Sequence, residues 1–175
     1  PADREAAVIA TYVRGIEALL AEGHRVVLVY PIPEAGWNVP EELARRREAS
    51  PEEPGTLTTD MAAYTKRQSA VIGAFDAIES PNLFRVRPAA ILCNTEVPGR
   101  CLNSIGDRPL YFDDNHLNNF GAGFLMPAIL EAITAALDGG ASKAAVCRNF
   151  GVKRTTLIET LARVGWTGSR GASSR

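Results

Sequence analysis

The chain of 175 residues is 46% apolar and 22% charged, with 19 Lys and Arg against 20 Asp and Glu and only two histidines, His24 and His116. That balance excludes disorder, collagen and coiled coil, and a chain of this length buries a serviceable core without metal or disulfide staples. No apolar run approaches the roughly 18–20 residues a membrane helix needs, and no basic stretch followed by an apolar core opens the chain as in a signal peptide, so a soluble segment is expected.

Pro1 stands where an initiator Met would, and an amphipathic helix follows almost at once, which reads as a fragment or processed product with an upstream partner. Residues 3–22 place Ala7, Val8, Tyr12, Ile16, Leu19 and Leu20 three and four apart, the stripe of a helix packed on a core, and Gly23 stops it. His24 at the following turn reads as a surface imidazole with no functional role. Residues 25–30, Arg-Val-Val-Leu-Val-Tyr, form a continuous β-branched and aromatic run, the pattern of a strand buried on both faces of a parallel sheet. Pro31, Pro33, Gly36 and Pro40 make the next stretch an ordered loop at the carboxyl end of that strand. Open α/β sheets place ligands there, so this loop is a site candidate.

Residues 41–48 predict a short charged helix, broken by Pro-Glu-Glu-Pro-Gly at 51–55. Thr58 or Thr59 is expected to cap a long helix running to about residue 79. Phe84-Arg85-Val86 predicts a short strand, and residues 93–107, rich in Asn, Thr, Pro, Gly and Asp, a surface excursion. Residues 117–137 are largely helical, with Gly121, Gly123 and Pro127 placed to shift the start or bend the axis.

Just ahead of that helix, Asp113 stands three residues before His116. In a triad the acid holds the imidazole in one tautomer and stabilises its charged form, so that the other ring nitrogen takes a proton from a nucleophile. An Asp/Asn-rich turn before a helix is also what N-capping selects, and the spacing alone leaves both readings open.

The string PLYFDDNHLNNFGAGFL resembles the last motif block of the SGNH (GDSL-like) hydrolases, in which Asp-x-x-His supplies two triad members and a small-residue helix follows. RVVLVYPIPEAGWNVPEELAR resembles the strand and Pro-rich loop of SGNH domains attached to membrane acyltransferases that O-acylate surface sugars, and the likeness covers about residues 5–135. It implies an α/β fold, part of a three-layer SGNH-like parallel sheet with flanking helices, over 1–137. It assigns Asp113 as acid and His116 as general base, and leaves Asp114 a capping or solvent-facing neighbour. Cys93 and Cys101 resemble the recurring cysteine pair of that group, a disulfide candidate if the chain is exported; as free thiols they would be small apolar fillers.

The resemblance also implies a Gly-Asp-Ser nucleophile block, with oxyanion donors from that Ser, a Gly and an Asn, before the first helix and therefore upstream of Pro1. No Gly-Asp-Ser occurs in the chain, and Ser69, Ser80 and Ser104 lie in no nucleophile turn. The chain alone is therefore expected to show little or no esterase activity. An acylated carbohydrate or small acyl ester, and an upstream membrane acyltransferase region, are the implied partners. No cofactor is implied, and two distant histidines with no Cys-x-x-Cys make no metal site.

Near-zero net charge hides an asymmetry. Residues 139–175 carry Lys143, Arg148, Lys153, Arg154, Arg163, Arg170 and Arg175 against Glu159 alone, a surplus of six, so residues 1–138 hold the compensating −7. Clustered cations favour polyanions; a solvated basic tail is the plainer alternative. Residues 143–149 and 153–164 predict two helices around a Phe-Gly-Val turn, with Ala145, Val146, Leu157, Ile158 and Leu161 inward. Lys143, Lys153, Arg154, Thr155 and Thr156 are the candidate DNA contacts, cations for phosphate and hydroxyls for phosphate or base edges, although a plain helical hairpin fits the pattern equally.

GGASKAAVCRNFGVKRTTLIETLARVGW resembles the C-terminal helix-turn-helix of resolvase/invertase serine recombinases over 138–166, with its first helix drawn from 127–137 and a flexible tail at 167–175. The recombinase catalytic domain is missing, so strand exchange is not implied. The two resemblances point to different compartments, extracytoplasmic for the first and cytoplasmic for the second, and suggest a genetic fusion.

Overall fold

A computed structural model describes residues 2–50 and 55–168. Residues 51–54 of the helix break expected at 51–55, and the tail from residue 169 onward, lie outside the described residues. The architecture is mixed α/β, with seven helices and six short strands among the described residues. Its contacts divide it into two compact units, one of residues 1–28, 74–86 and 128–175, the other of 29–73 and 87–127.

The first unit opens with α1 (Ala2–Ala21), which matches the predicted helix. The expected burial of its stripe is corrected: no residue from 3 to 21 is buried, and Val8, Tyr12 and Leu19 stand exposed. Three- and four-residue spacing makes the helix locally, but burial needs a covering surface. β1 (Val26–Val29) follows and pairs only with β3 (Leu83–Val86). The Val26 N–H donates to the Asn82 carbonyl at 2.8 Å just before β3. Directly after the strands, the Arg87 guanidinium lies 4.3 Å over the Tyr30 ring. The strands thus begin together and end together, and run parallel. The expectation of a strand buried on both faces is corrected, because Val26, Val27 and Leu28 are half-buried and Val29 is exposed in a two-stranded pair.

The core of this unit is formed by α5 (Asn119–Asp138), α6 (Lys143–Phe150) and α7 (Arg154–Arg163), through Ile133, Leu137, Val146, Leu157 and Leu161, with Val27 packed against them. Ser142 caps α6 by accepting the Ala145 N–H, and Gly151 ends it at φ 61°, where glycine carries no Cβ penalty. The expected boundary between 137 and 138 falls inside this cluster. Ile158, expected inward, is 45% exposed. α5 runs unbroken through Gly121, Gly123 and Pro127. It also corrects the statement that no run is long and apolar enough to span a membrane, since by length and composition this helix is. Leu125, Ala132, Ile133, Ala136 and Leu137 are buried, while Phe124 and Met126 are exposed, and a third of the apolar window is buried.

The second unit holds α2 (Val39–Ala49), β2 (Thr58–Asp60), most of α3 (Met61–Asp76), α4 (Pro88–Leu92), β4 (Arg100–Leu102), β5 (Ser104–Ile105) and β6 (Arg108–Pro109). Asn38 caps α2 through the Glu41 N–H. The cap of α3 is Asp60, whose Oδ1 accepts the Ala62 N–H at 2.7 Å; Thr58 and Thr59, expected as caps, lie in β2 instead. β2 pairs antiparallel with β4, Thr59 opposite Cys101, and β5 antiparallel with β6. Of the expected part of a three-layer parallel sheet, the described residues form one parallel pair, and the other strands form two small antiparallel ribbons, in keeping with a mixed α/β fold.

The surface excursion at 93–107 is corrected in part, because Cys93, Cys101, Leu102, Asn103 and Ser104 are buried. Cys93 and Cys101 are joined by a disulfide, and Cys147 is free. Ser104 is a structural hydroxyl: its Oγ accepts the Leu57 N–H at 2.8 Å and donates to the Gly106 carbonyl at 3.1 Å.

Candidate functional site

The Asp113–His116 turn is built from the backbone outward. Tyr111 and Leu117 form an isolated antiparallel bridge, and inside it the Phe112 N–H donates to the His116 carbonyl at 3.0 Å. Tyr111 is fully buried and its hydroxyl donates to the Pro33 carbonyl, which anchors the start of the turn. Burial pushes that phenol well above its usual range, so it stays a neutral donor. Asn118 closes the other side: its N–H donates to the Leu110 carbonyl at 2.9 Å, its Nδ2 to the Pro109 carbonyl at 2.8 Å, and its Oδ1 caps α5 through Gly121 N–H.

Within this frame the two carboxylate oxygens of Asp113 have separate partners. Oδ1 accepts the backbone N–H of Asn115 at 2.9 Å and of His116 at 2.7 Å, while Oδ2 lies 2.7 Å from His116 Nδ1. The Asn115 N–H first, then the N–H and ring of His116, hold the Asp113 carboxyl below its usual range, so it is ionised and can only accept. Nδ1 therefore carries the proton, and in the neutral ring the Nε2 lone pair is the available base. The imidazole is 66% exposed and stacks on Phe112, the planes 11° apart and the centroids 5.4 Å. Backbone capping and the ring contact coexist here, since Oδ1 serves the backbone and Oδ2 the imidazole.

The depressed carboxyl sets a pH dependence. A group whose folded value is lowered contributes stability that is complete above the ordinary carboxylate range and is lost as pH falls through the folded value. Acidification from the ordinary carboxylate range down through the lowered folded value is expected to release Asn115 and His116 N–H from Oδ1, read as faster amide exchange at both positions than in the rest of the protein. Equal protection at both ends of the titration would contradict it.

The Pro-rich loop, a site candidate from its place after β1, is brought to this turn. Ala35 and Gly36 N–H donate to the Asp114 carbonyl at 2.9 and 3.2 Å, and Val39 N–H to the Asp113 carbonyl at 3.2 Å. Two aromatic residues escaped the sequence reading. Phe112 alternates outward next to the inward Tyr111, a signal legible in period 2; Trp37 lies on the loop, and its neighbours come from α2 and Thr58, which no local pattern reveals.

A family model described as SGNH domain (fused to AT3 domains) matches residues 1–131. The chain belongs to this SGNH family. No curated protein and no solved structure matches the chain. The SGNH match spans the Pro-rich loop and the Asp113–His116 turn together, and it ends within α5.

Beyond the SGNH match, Lys153, Arg154, Thr155 and Thr156 are exposed in sequence at the start of α7. Lys143 is set apart from them at the start of α6, half-buried with its Nζ 5.0 Å over the Trp166 ring, whose Nε1–H donates to Asp138. His24 is exposed, 3.4 Å from Glu22, as a surface imidazole would be. No cluster of His, Cys, Asp and Glu able to hold a metal occurs among the described residues.

Proposed function

We propose that this chain contributes the acid and the general base of an acyl-ester hydrolase or O-acyltransferase acting on acylated carbohydrate, with the serine nucleophile and oxyanion donors supplied from outside its 175 residues. The observation that carries the proposal is the 2.7 Å contact of His116 Nδ1 with Asp113 Oδ2, on a carboxylate oriented by two backbone N–H groups, with the Nε2 side open. In the reaction Nε2 takes the serine proton as Oγ attacks the acyl carbon. Asp113 stabilises the imidazolium, and Nε2 returns the proton to the departing sugar oxygen. Water or a second sugar hydroxyl then takes the acyl group. Membership of the SGNH family supports the reaction class.

Without nucleophile and oxyanion donors a triad loses nearly all its acceleration. The isolated chain and its His116→Ala variant are therefore expected to hydrolyse p-nitrophenyl acetate at the same background rate. A polypeptide in which an SGNH Gly-Asp-Ser segment precedes this chain is expected to gain esterase activity that falls at least roughly 10³-fold on His116→Ala. A His116-dependent rate in the chain alone would refute the inactivity, and equal rates with and without His116 in the joined polypeptide would refute the role.

A second proposal reads residues 138–166 as a DNA-binding module that shares its core with Ile133 and Leu137 of α5. It is supported by the four consecutive exposed Lys153, Arg154, Thr155 and Thr156 at the start of α7 and by five Lys and Arg against Asp138 and Glu159 within residues 138–166, a net +3. Phosphate contacts release counterions, so a gel-shift titration is expected to show binding that weakens as salt rises. Absence of any salt-sensitive binding would sink it.

A further inference from the structure

Beside the Pro-rich loop lies an open polar cleft of about 540 Å³, lined by Trp37, by Glu41, Glu42, Arg45 and Arg46 of α2, and by Thr58. We propose that this cleft is a saccharide subsite, which holds a neutral, hydroxyl-rich sugar segment next to the Asp113–His116 turn. The proposal rests on the reading of the substrate as an acylated carbohydrate, and it places the part of that substrate that does not react.

Three features select this ligand class. The volume is within the range of small-molecule sites, which run from roughly 300 to 1,000 Å³. The charges cancel, two acids against two arginines, so the cleft offers no net attraction to a nucleic acid or an anionic lipid surface. Three of the four are paired with one another. Glu42 Oε2 accepts from Arg45 Nε at 2.8 Å, and Oε1 from Arg45 Nη2 at 2.7 Å and Arg46 Nε at 2.9 Å. The two guanidinium groups hold its carboxyl at about 2, so it stays an acceptor at every physiological pH. Fixed acceptors beside fixed donors match sugar hydroxyls, each of which both donates and accepts. The half-buried indole of Trp37 adds an apolar face with a polar tip, suited to the C–H face of a pyranose ring.

Position ties the cleft to the chemistry. Trp37 sits between Gly36 and Val39, whose N–H groups are bonded to the carbonyls of Asp114 and Asp113. Gly36 at φ 77° makes the reversal that side chains disfavour, and Asn38 starts α2 immediately afterwards through its cap on Glu41. The backbone on either side of Trp37 is therefore tied to the turn that carries the general base.

The test uses the whole chain. The protein has two tryptophans, so Trp166→Phe leaves Trp37 as the only indole, excited selectively at the red edge where tyrosine does not absorb. Titration with cellotetraose and with chitotetraose is expected to shift its emission saturably, in the millimolar range, for at least one of the two. Arg45→Ala, at a side chain 68% exposed and outside the core, is expected to weaken that binding at least roughly tenfold, or about 1.4 kcal/mol, with unchanged circular dichroism. Isothermal titration calorimetry with the same tetrasaccharides is expected to give binding heat with the parent chain and none with Trp37→Ala. No saturable shift with either tetrasaccharide, or undiminished affinity in Arg45→Ala, would overturn the subsite. The measurement involves no turnover, so failure of the acid–base reading would leave it standing, and loss of the subsite would leave the His116-dependent rates untouched.

Discussion

Gly121→Ala is expected to lose roughly 2–3 kcal/mol of stability, the upper end of over-packing costs, and to dislodge the Asp113–His116 turn with it. A Cβ at this position would lie 2.1 Å from the Leu110 carbonyl oxygen and 2.9 Å from Leu117 Cδ2. The leucine side chain could yield; the carbonyl cannot. Leu110 is fully buried, its N–H is held by the Asn103 carbonyl at 2.9 Å, and its own carbonyl accepts the Asn118 N–H. The start of α5 must therefore move, which strips the Asn118 cap from Gly121 and pulls on the residues just before it, His116 and Leu117. Gly123→Ala is the control, because a Cβ there meets nothing within 4 Å and alanine is the better helix former. Urea denaturation is expected to show a lowered midpoint for Gly121→Ala and an unchanged or raised one for Gly123→Ala; equal midpoints would contradict the packing argument.

Removal of the disulfide is the second large effect. Cys93 and Cys101 are eight apart in sequence, and the chain-entropy cost of opening a loop this short is about 2.5 kcal/mol. The bond also fixes an edge of the second unit, since Cys101 lies opposite Thr59 in the β2–β4 ribbon and the Asn94 side chain closes the intervening loop on Gly99 N–H at 2.8 Å. Cys93→Ala with Cys101→Ala is expected to lower the unfolding free energy by that amount, read as a lower urea midpoint that dithiothreitol does not move, whereas the parent's midpoint is expected to fall to the variant's in reductant. A parent midpoint indifferent to reductant would show that the pair adds nothing to stability.

How far the molecule can be read from its residues depends on how local each feature is. Asp113 and His116 are legible because a three-residue turn brings the carboxylate to the ring with help only from adjacent backbone N–H groups. Helices α1, α2, α5, α6 and α7 follow from periodicity and caps such as Ser142 and Gly151, all local signals. The β2–β4 and β5–β6 ribbons are not legible, because strands of two and three residues carry no alternation and their pairing is non-local. Thr58 and Thr59 look like caps for the same reason: the competing partner, Cys101 and its neighbours, lies some forty residues away in the chain. Burial fails where covering surface is needed. Val8, Tyr12 and Leu19 have the spacing of a core stripe and stand exposed, while Asn103 and Ser104, polar and in a loop-like composition, are fully buried. The cleft at Trp37 combines both problems, since its residues come from a loop, a helix and a strand.

The central claim is that Asp113 sets the imidazole of His116 as an acyl-transfer base. The tautomer of that ring, read from its two ¹⁵N shifts above its titration, is the most direct test. The geometry predicts the Nδ1–H form in the parent chain, with Nε2 unprotonated. In Asp113→Asn, an amide nitrogen turned to the ring would favour the opposite tautomer, the defect that disables a triad. A ring predominantly protonated on Nε2 in the parent, or a tautomer ratio unmoved by Asp113→Asn, would contradict the account.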